Sequence, residues 1–201
     1  MSLHPETVVI VICKAPEYGR VKTRLAREIG DDKALRVYAL MTATLFTNLG
    51  SSVFYDICPC VDGNIHLIHA GTVEAIAQRG GALGERICNA IRDCSSYKKT
   101  IVIGSDTPNI TSDIIHQAIH ALDAADVVIG PSVDGGYYLI GMKQPDESIF
   151  DEIPWSTDAV FTATCSKLQA AGCSFKVLPT LRDIDTLEDL QAVMPELLSE
   201  H

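Results

Sequence analysis

A run of β-branched apolar residues that ends on an acid, Thr100-Ile101-Val102-Ile103-Gly104-Ser105-Asp106-Thr107-Pro108, sets the tightest limit on what this chain can fold into. Such a run, bounded by turn residues, reads as a strand buried on both faces, the kind found in parallel sheets covered by helices. In open α/β sheets ligands lie beyond the carboxyl ends of the strands, so Asp106, the first charged side chain after Ile103, is delivered to the place where chemistry is expected. One carboxylate on a rigid strand end suits a hard divalent cation whose other partners are substrate phosphates. The same acid is also an ordinary residue to open a turn before Pro108 or to cap the next helix.

The rest of the chain repeats this unit. Val8 to Ile12 reads as a strand broken by Ala15-Pro16-Glu17-Tyr18-Gly19, and from Val21 the spacing turns helical, pauses at Gly30 and resumes through Leu35, Leu40, Leu45 and Leu49. Further strands are predicted at 53–57, 126–129, 137–141 and 174–178, with a short strand also open at 65–68. Helices are predicted at 74–79, 85–94, 112–121, 158–171 and 186–198. Alternating β and α units predict a three-layer α/β/α sandwich around a mostly parallel sheet, and 201 residues without a linker or repeat predict a single domain over 1–201.

Composition excludes several classes of function. A formal net charge of −10 argues against nucleic acid and anionic membranes as partners, since both need a basic face. Seven cysteines without C-x-x-C or Cys/His spacing read as reduced, buried small hydrophobes. The first apolar run is too short for a signal-peptide core or a membrane span, so a cytoplasmic location is expected. The charge is unevenly spread: between positions 14 and 27 stand Lys14, Arg20, Lys22, Arg24 and Arg27 with Glu17 as the only acid, a local balance of +4 that suits a multiply charged anion.

That basic stretch, Lys14-Ala15-Pro16-Glu17-Tyr18-Gly19-Arg20-Val21-Lys22-Thr23-Arg24-Leu25, is a glycine loop running from a strand into a helix, where backbone N–H groups can face phosphates. It matches neither G-x-x-x-x-G-K-[ST] nor G-x-G-x-x-G. Cations at a helix start oppose the macrodipole, a choice that favours a ligand over stability alone. Gly80-Gly81-Ala82-Leu83-Gly84-Glu85-Arg86 offers backbone for a planar base, with Arg86 nearby, or is simply a loop opening a helix. Asp134-Gly135-Gly136-Tyr137-Tyr138 reads as a close approach of ligand or backbone, with Asp134 as an acceptor for substrate hydroxyls, or as a plain β-turn. Thr186 and Asp189 form a capping box, which leaves Asp183 and Asp185 on one face of an extended segment, free to approach a cation held by Asp106. In Trp155-Ser156-Thr157 the hydroxyls read as helix caps and the indole as a core or rim aromatic. The six histidines show no ligand spacing.

Taken together, K-x-P-x-x-G-x-V-K-T-R-L, L-G-E-R, G-S-D-T-P, D-G-G-Y-Y-L-I-G, W-S-T and D-I-D-T-L-E-D-L resemble a bacterial and archaeal family of the GT-A (nucleotide-diphospho-sugar transferase) fold, labelled a domain of unknown function (DUF2064) or, provisionally, a glycosyltransferase. That family is related to molybdenum-cofactor nucleotidyltransferases and phospholactate guanylyltransferase. The resemblance, spanning about Val8 to Leu190, implies a nucleotide at Lys14, Gly19, Lys22 and Arg24, with Gly84 and Arg86 near the base or phosphates. It further implies Mg²⁺ (or Mn²⁺) on Asp106 and Asp185, and a sugar or acceptor beside Asp134, Gly135 and Gly136. Many glycosyltransferases carry D-x-D at the central strand end, whereas Ser105-Asp106-Thr107 holds one acid. The expectation is therefore a transferase acting on an NTP or nucleotide sugar and a small-molecule acceptor, with Lys22, Arg24 and Asp106 catalytic, most simply nucleotidyl transfer with pyrophosphate release. Glycosyl transfer, and nucleotide binding without turnover, are the alternatives.

Overall fold

The computed structural model describes residues 5–143 and 146–198. Its elements are β1 (Thr7–Lys14), α1 (Thr23–Ile29), α2 (Asp31–Leu49), β2 (Tyr55–Asp62), β3 (Ile76–Ala77), α3 (Leu83–Asp93), β4 (Lys99–Gly104), α4 (Ser112–Ala124), β5 (Val127–Pro131), β6 (Tyr137–Met142), α5 (Val160–Ala170), β7 (Phe175–Val177) and α6 (Leu187–Val193). One seven-stranded sheet runs in the order β3-β2-β1-β4-β6-β5-β7, parallel except for β6, which is antiparallel to both β4 and β5.

The buried runs sit where alternation requires. On β1, Val9 and Val11 face a cluster with Leu45 and Leu49 of α2 and Ile115 and Leu122 of α4, while Val8 and Ile10 face Ile87 and Ile91 of α3 and Leu168 of α5. All four β1 residues are fully buried, each contributing about 1.5–3 kcal/mol by leaving water. The β5–β6 hairpin closes through Gly130, where an added Cβ would lie 2.4 Å from the Tyr138 ring. A third cluster joins Leu25 of α1 and Met41 of α2 to Ile184 and to Leu190 of α6, tying the chain's last helix to its first.

Several predicted elements shift, each for a tertiary reason. The second strand begins at Tyr55, with Val53 and Phe54 exposed, and continues through Pro59 to Asp62 because β1 pairs with it over that whole length. The segment 65–68 contains a 3₁₀ turn capped by Asn64, and 74–79 carries the edge strand β3 paired to β2 instead of a helix. Leu40 is 40% exposed; the buried stripe of α2 runs through Val37, Tyr38, Met41 and Leu45. The last helix stops at Val193, and a 3₁₀ turn starts at Pro195, whose ring cannot continue it. The cysteines are free, five buried and two half-buried. Among the described residues no helix is long and apolar enough to cross a membrane.

Candidate active site

Register places three strand ends on one rim. Lys14 at the end of β1 pairs with Asp62 at the end of β2, while Ile12 pairs with Gly104, so the chain leaves β4 through Ser105 and presents Asp106 just beyond the sheet. The basic loop then folds back over this rim. Lys22 adopts the left-handed conformation (φ 46°) immediately before α1, unusual for a residue with a Cβ. That turn directs its side chain, only 4% exposed, between two acids: Nζ lies 2.6 Å from Asp106 Oδ1 and 3.0 Å from Asp185 Oδ1. Burial opposes the ammonium charge, but Asp106 and Asp185 outweigh it, and the Lys22 pKa is held above its ordinary value.

Asp185 arrives from the far end of the chain. Ile184 is fully buried and its amide donates to the Asp106 carbonyl at 2.9 Å, which pins the segment to the strand end. The capping box of α6 then holds the next turn, with Asp189 accepting from the amides of Asp185 and Thr186. Arg24 lies 3.4 Å from Asp185 Oδ2.

This ion cluster divides a cleft into two lobes. The smaller, about 300 Å³, lies between the Lys14–Arg24 loop and the start of α3. Gln78 is fixed there by both its amide hydrogens, given to the carbonyls of Cys13 and Cys60, and its Oε1 faces Arg86. Arg86 pairs with Asp62 at 3.3 Å, and Arg20 pairs with Glu17 at 2.5 Å and with Asp62 at 3.8 Å. Tyr38 stitches the floor: its hydroxyl accepts from the Lys14 amide and donates to the Lys14 carbonyl.

The larger lobe, about 770 Å³, extends from Asp106 and Asp185 past Asp183 and Asp134 to Trp155 and Asp158. Gly135 has φ 88°, and a Cβ there would lie 2.2 Å from the Asp158 carbonyl oxygen, so two loops meet backbone to backbone. Asp134 caps this turn, accepting from the Gly136 amide at 2.9 Å and from the Ser132 hydroxyl. Trp155 stacks on Phe150 and meets Tyr137 edge-on, and it covers Gly84, where a Cβ would come within 3.0 Å of the indole. Burial, and then the neighbouring Asp134, push the Asp183 carboxyl up to about 6. Thr157 caps the turn ahead of α5, giving its hydroxyl to the Pro154 carbonyl, and the helix opens at Val160, two residues later than its pattern predicts.

Two carboxylates converging on one point, with only oxygen donors, fit Mg²⁺ or Mn²⁺ of the kind completed by phosphates and water. The Lys22 ammonium lies at that point, and among the described residues no group of three His, Cys, Asp or Glu side chains forms a cage of its own. Asp106 and Asp185 would therefore share a cation only with Lys22 turned aside, towards the phosphates that such a cation carries.

The structure thus brings together Lys14, Lys22, Arg24, Arg86, Asp106 and Asp185 at the junction and smaller lobe, and Asp134 and Gly136 in the larger one. Gly19 (φ 70°) turns the loop, and Gly84 makes room for Trp155. Sequence reasoning missed Asp62, Gln78, Tyr38 and Asp158. Asp62 carries the same strand-end signal as Asp106, hidden by placing the end of β2 five residues early. Tyr38 looks like one more core residue of an amphipathic helix, and Gln78 lies just past an edge strand with no pattern of its own.

The seven-stranded, mostly parallel sheet with one reversed strand is an α/β fold that matches that of nucleotide-diphospho-sugar transferase neighbours. The chain belongs to the family described as "Uncharacterized protein conserved in bacteria (DUF2064)", which matches residues 52–157. It is 30% identical to a crystallised protein from Desulfovibrio desulfuricans G20, provisionally named a nucleotide-diphospho-sugar transferase, over 98% of this chain and 89% of that one, with a TM-score of 0.88. More distant likenesses concern the fold alone. The 4-diphosphocytidyl-2C-methyl-D-erythritol synthase of Anaerococcus prevotii matches at 9% identity over 96% and 99% of the two chains, TM-score 0.57. Rv0371c of Mycobacterium tuberculosis in complex with manganese matches at 12% over 94% and 98%, TM-score 0.54. No curated protein sequence matches the chain.

Proposed function

We propose that the protein is a divalent-metal-dependent transferase that takes an activated group from a nucleotide, held in the smaller lobe, and passes it to a small molecule in the larger one. The observation that carries this reading is the buried Lys22 ammonium between Asp106 and Asp185 at the junction of the two lobes. A buried cation held between two acids, set where the lobes meet, is suited to steadying charge that moves between two ligands. The nucleotidyltransferase and manganese-bound relatives of the same fold support nucleotide and metal use.

In nucleotidyl transfer an acceptor oxygen attacks the α-phosphorus of an NTP and the bond to the bridging oxygen breaks. Pyrophosphate leaves with the bonding pair, and the acceptor proton is released to solvent. Lys22 and Arg24 would hold the phosphates in line for that attack, and Leu83, bordering both lobes, would limit water. A metal on Asp106 and Asp185 would supply further neutralisation of phosphate charge. Glycosyl transfer from a nucleotide sugar is the second reading, favoured by the name of the 30%-identical relative.

A thermal-shift scan of NTPs and nucleotide sugars with Mg²⁺ tests binding: saturation at about 100 Kd adds roughly 2.7 kcal/mol and a clear rise in Tm. Product analysis then separates the readings, pyrophosphate for nucleotidyl transfer and a nucleoside diphosphate for glycosyl transfer. A scan without any Mg²⁺-dependent shift would overturn both.

A further inference from the structure

The larger lobe has a chemical character of its own. Asp134, Asp158 and Asp183 line it beyond the junction acids, and among its described lining residues Arg24, at the junction, is the one cation. Arg24 is itself within 3.4 Å of Asp185. The same lobe is lined by Trp155, whose indole is fixed by near-parallel stacking on Phe150 (interplanar angle 23°) and by the edge contact with Tyr137. A phosphate entering this lobe would give up its hydration among like-charged carboxylates, with Arg24, already engaged by Asp185, as the one charged donor among the described lining residues. Hydroxyl groups are matched on both counts. Ionised carboxylates only accept, so they pair with O–H donors, and an aromatic face packs against the C–H surface of a ring. Asp134 already uses Oδ1 on its own turn, which leaves Oδ2 for a ligand.

We propose that the larger lobe selects an unphosphorylated, hydroxyl-rich group of the sugar or polyol class, with Asp134 and Asp183 as its hydrogen-bond acceptors and Trp155 as its packing face. This rests on the reading that the nucleotide occupies the smaller lobe. It narrows the acceptor to a hydroxyl nucleophile and makes phosphorylated acceptors poor ligands. The same chemistry can be presented by a free acceptor or by the sugar of a nucleotide sugar.

Trp155 is the only tryptophan, so its fluorescence reports on this lobe alone among the two. With Mg²⁺ and a non-hydrolysable NTP present, glucose, N-acetylglucosamine and glycerol would be titrated beside glucose 6-phosphate and glycerol 3-phosphate; in a parallel arm nucleotide sugars would be compared with their parent diphosphates. The expected result is a saturable change with at least one neutral compound or nucleotide sugar, with the phosphorylated counterpart about tenfold weaker or more. In Asp134→Asn and Asp183→Asn, each checked for native circular dichroism, that preference narrows. A response confined to nucleotide sugars assigns the lobe to the donor's sugar and still supports the proposal. A phosphorylated compound binding as tightly as its neutral parent, or silence from every neutral compound and nucleotide sugar, overturns it. The nucleotide itself is read separately by its Mg²⁺-dependent Tm shift, so a nucleotide that binds while Trp155 stays silent defeats this inference and leaves the nucleotide reading intact.

Discussion

The two lobes of the cleft share Asp106, Asp185 and Arg24 but differ in how their charge is answered. In the smaller lobe most cations have an acid from elsewhere in the chain: Arg86 meets Asp62, Lys22 meets Asp106 and Asp185, and Arg24 meets Asp185. In the larger lobe Asp134 and Asp183 have no ion-pair partner among the described residues, and burial, then the charge of Asp134, pushes the Asp183 carboxyl up to about 6. A basic stretch in sequence is therefore not a bare positive patch in space. It is a set of cations held in place by carboxylates until a ligand competes for them, whereas the acidic lobe holds its charge ready.

The sharpest way to break this contrast is Lys22→Ala. It should lower transfer by about two to three orders of magnitude, as loss of a charge-stabilising donor does, measured as product release. In the absence of nucleotide the same variant should bind Mn²⁺ more tightly than the wild type, because the ammonium no longer occupies the point where the acids converge. Unchanged Mn²⁺ affinity by electron paramagnetic resonance would show that metal and lysine do not share that place.

Gly135→Ala tests whether the lobes are mechanically separate. With φ 88° and the Asp158 carbonyl 2.2 Å from the new Cβ, the loops must part, costing about 3 kcal/mol in urea unfolding. Nucleotide affinity, read in the smaller lobe, should hardly move. Tyr38→Phe makes the opposite local change, removing both bonds to the Lys14 backbone for about 1–2 kcal/mol of stability. Its effect should fall on nucleotide binding and spare the Trp155 signal.

The smallest effect expected is from Asp183→Asn, measured with chelator present. A carboxyl whose folded value, about 6, lies above its unfolded value of 3.8 binds its proton more tightly when folded. Its stabilising contribution is thus complete below the unfolded value and is lost as pH rises through the folded one. Asparagine should raise Tm relative to wild type at about pH 8 and bring no such gain at about pH 4. A pH-independent difference would mean that Asp183 sits in ordinary solvent.

What could be read from sequence follows from how locally each feature is determined. Asp106 was legible because a β-branched run both makes its strand and dictates where the strand ends, and the capping box that positions Asp185 is likewise a four-residue matter. The edge strand β3 was not: 74–79 has no strand pattern, and only the open side of β2 makes it extended. The reversal of β6 was equally hidden, since an apolar strand carries no mark of its direction. Among the site residues, Lys22 was legible as a cation in a glycine loop, but its acids lie at positions 106 and 185, so its burial and pairing depend on contacts that no local pattern encodes.

The separation of Lys22 from Asp185, 163 positions along the chain, has a bearing on time as well as space. Long loops close late, because their entropy must be overcome before their contacts can form. As the polypeptide emerges, β1, β2 and β4 can pair while the segment from 183 onward is still being made, and during that interval Lys22 has at most one of its two acids. Docking of Ile184 against Leu25 brings the second. The junction is thus completed by a stretch synthesised long after the strands it closes over, so a molecule cut before position 183 would keep Lys22 and Asp106 and yet lack the second acid.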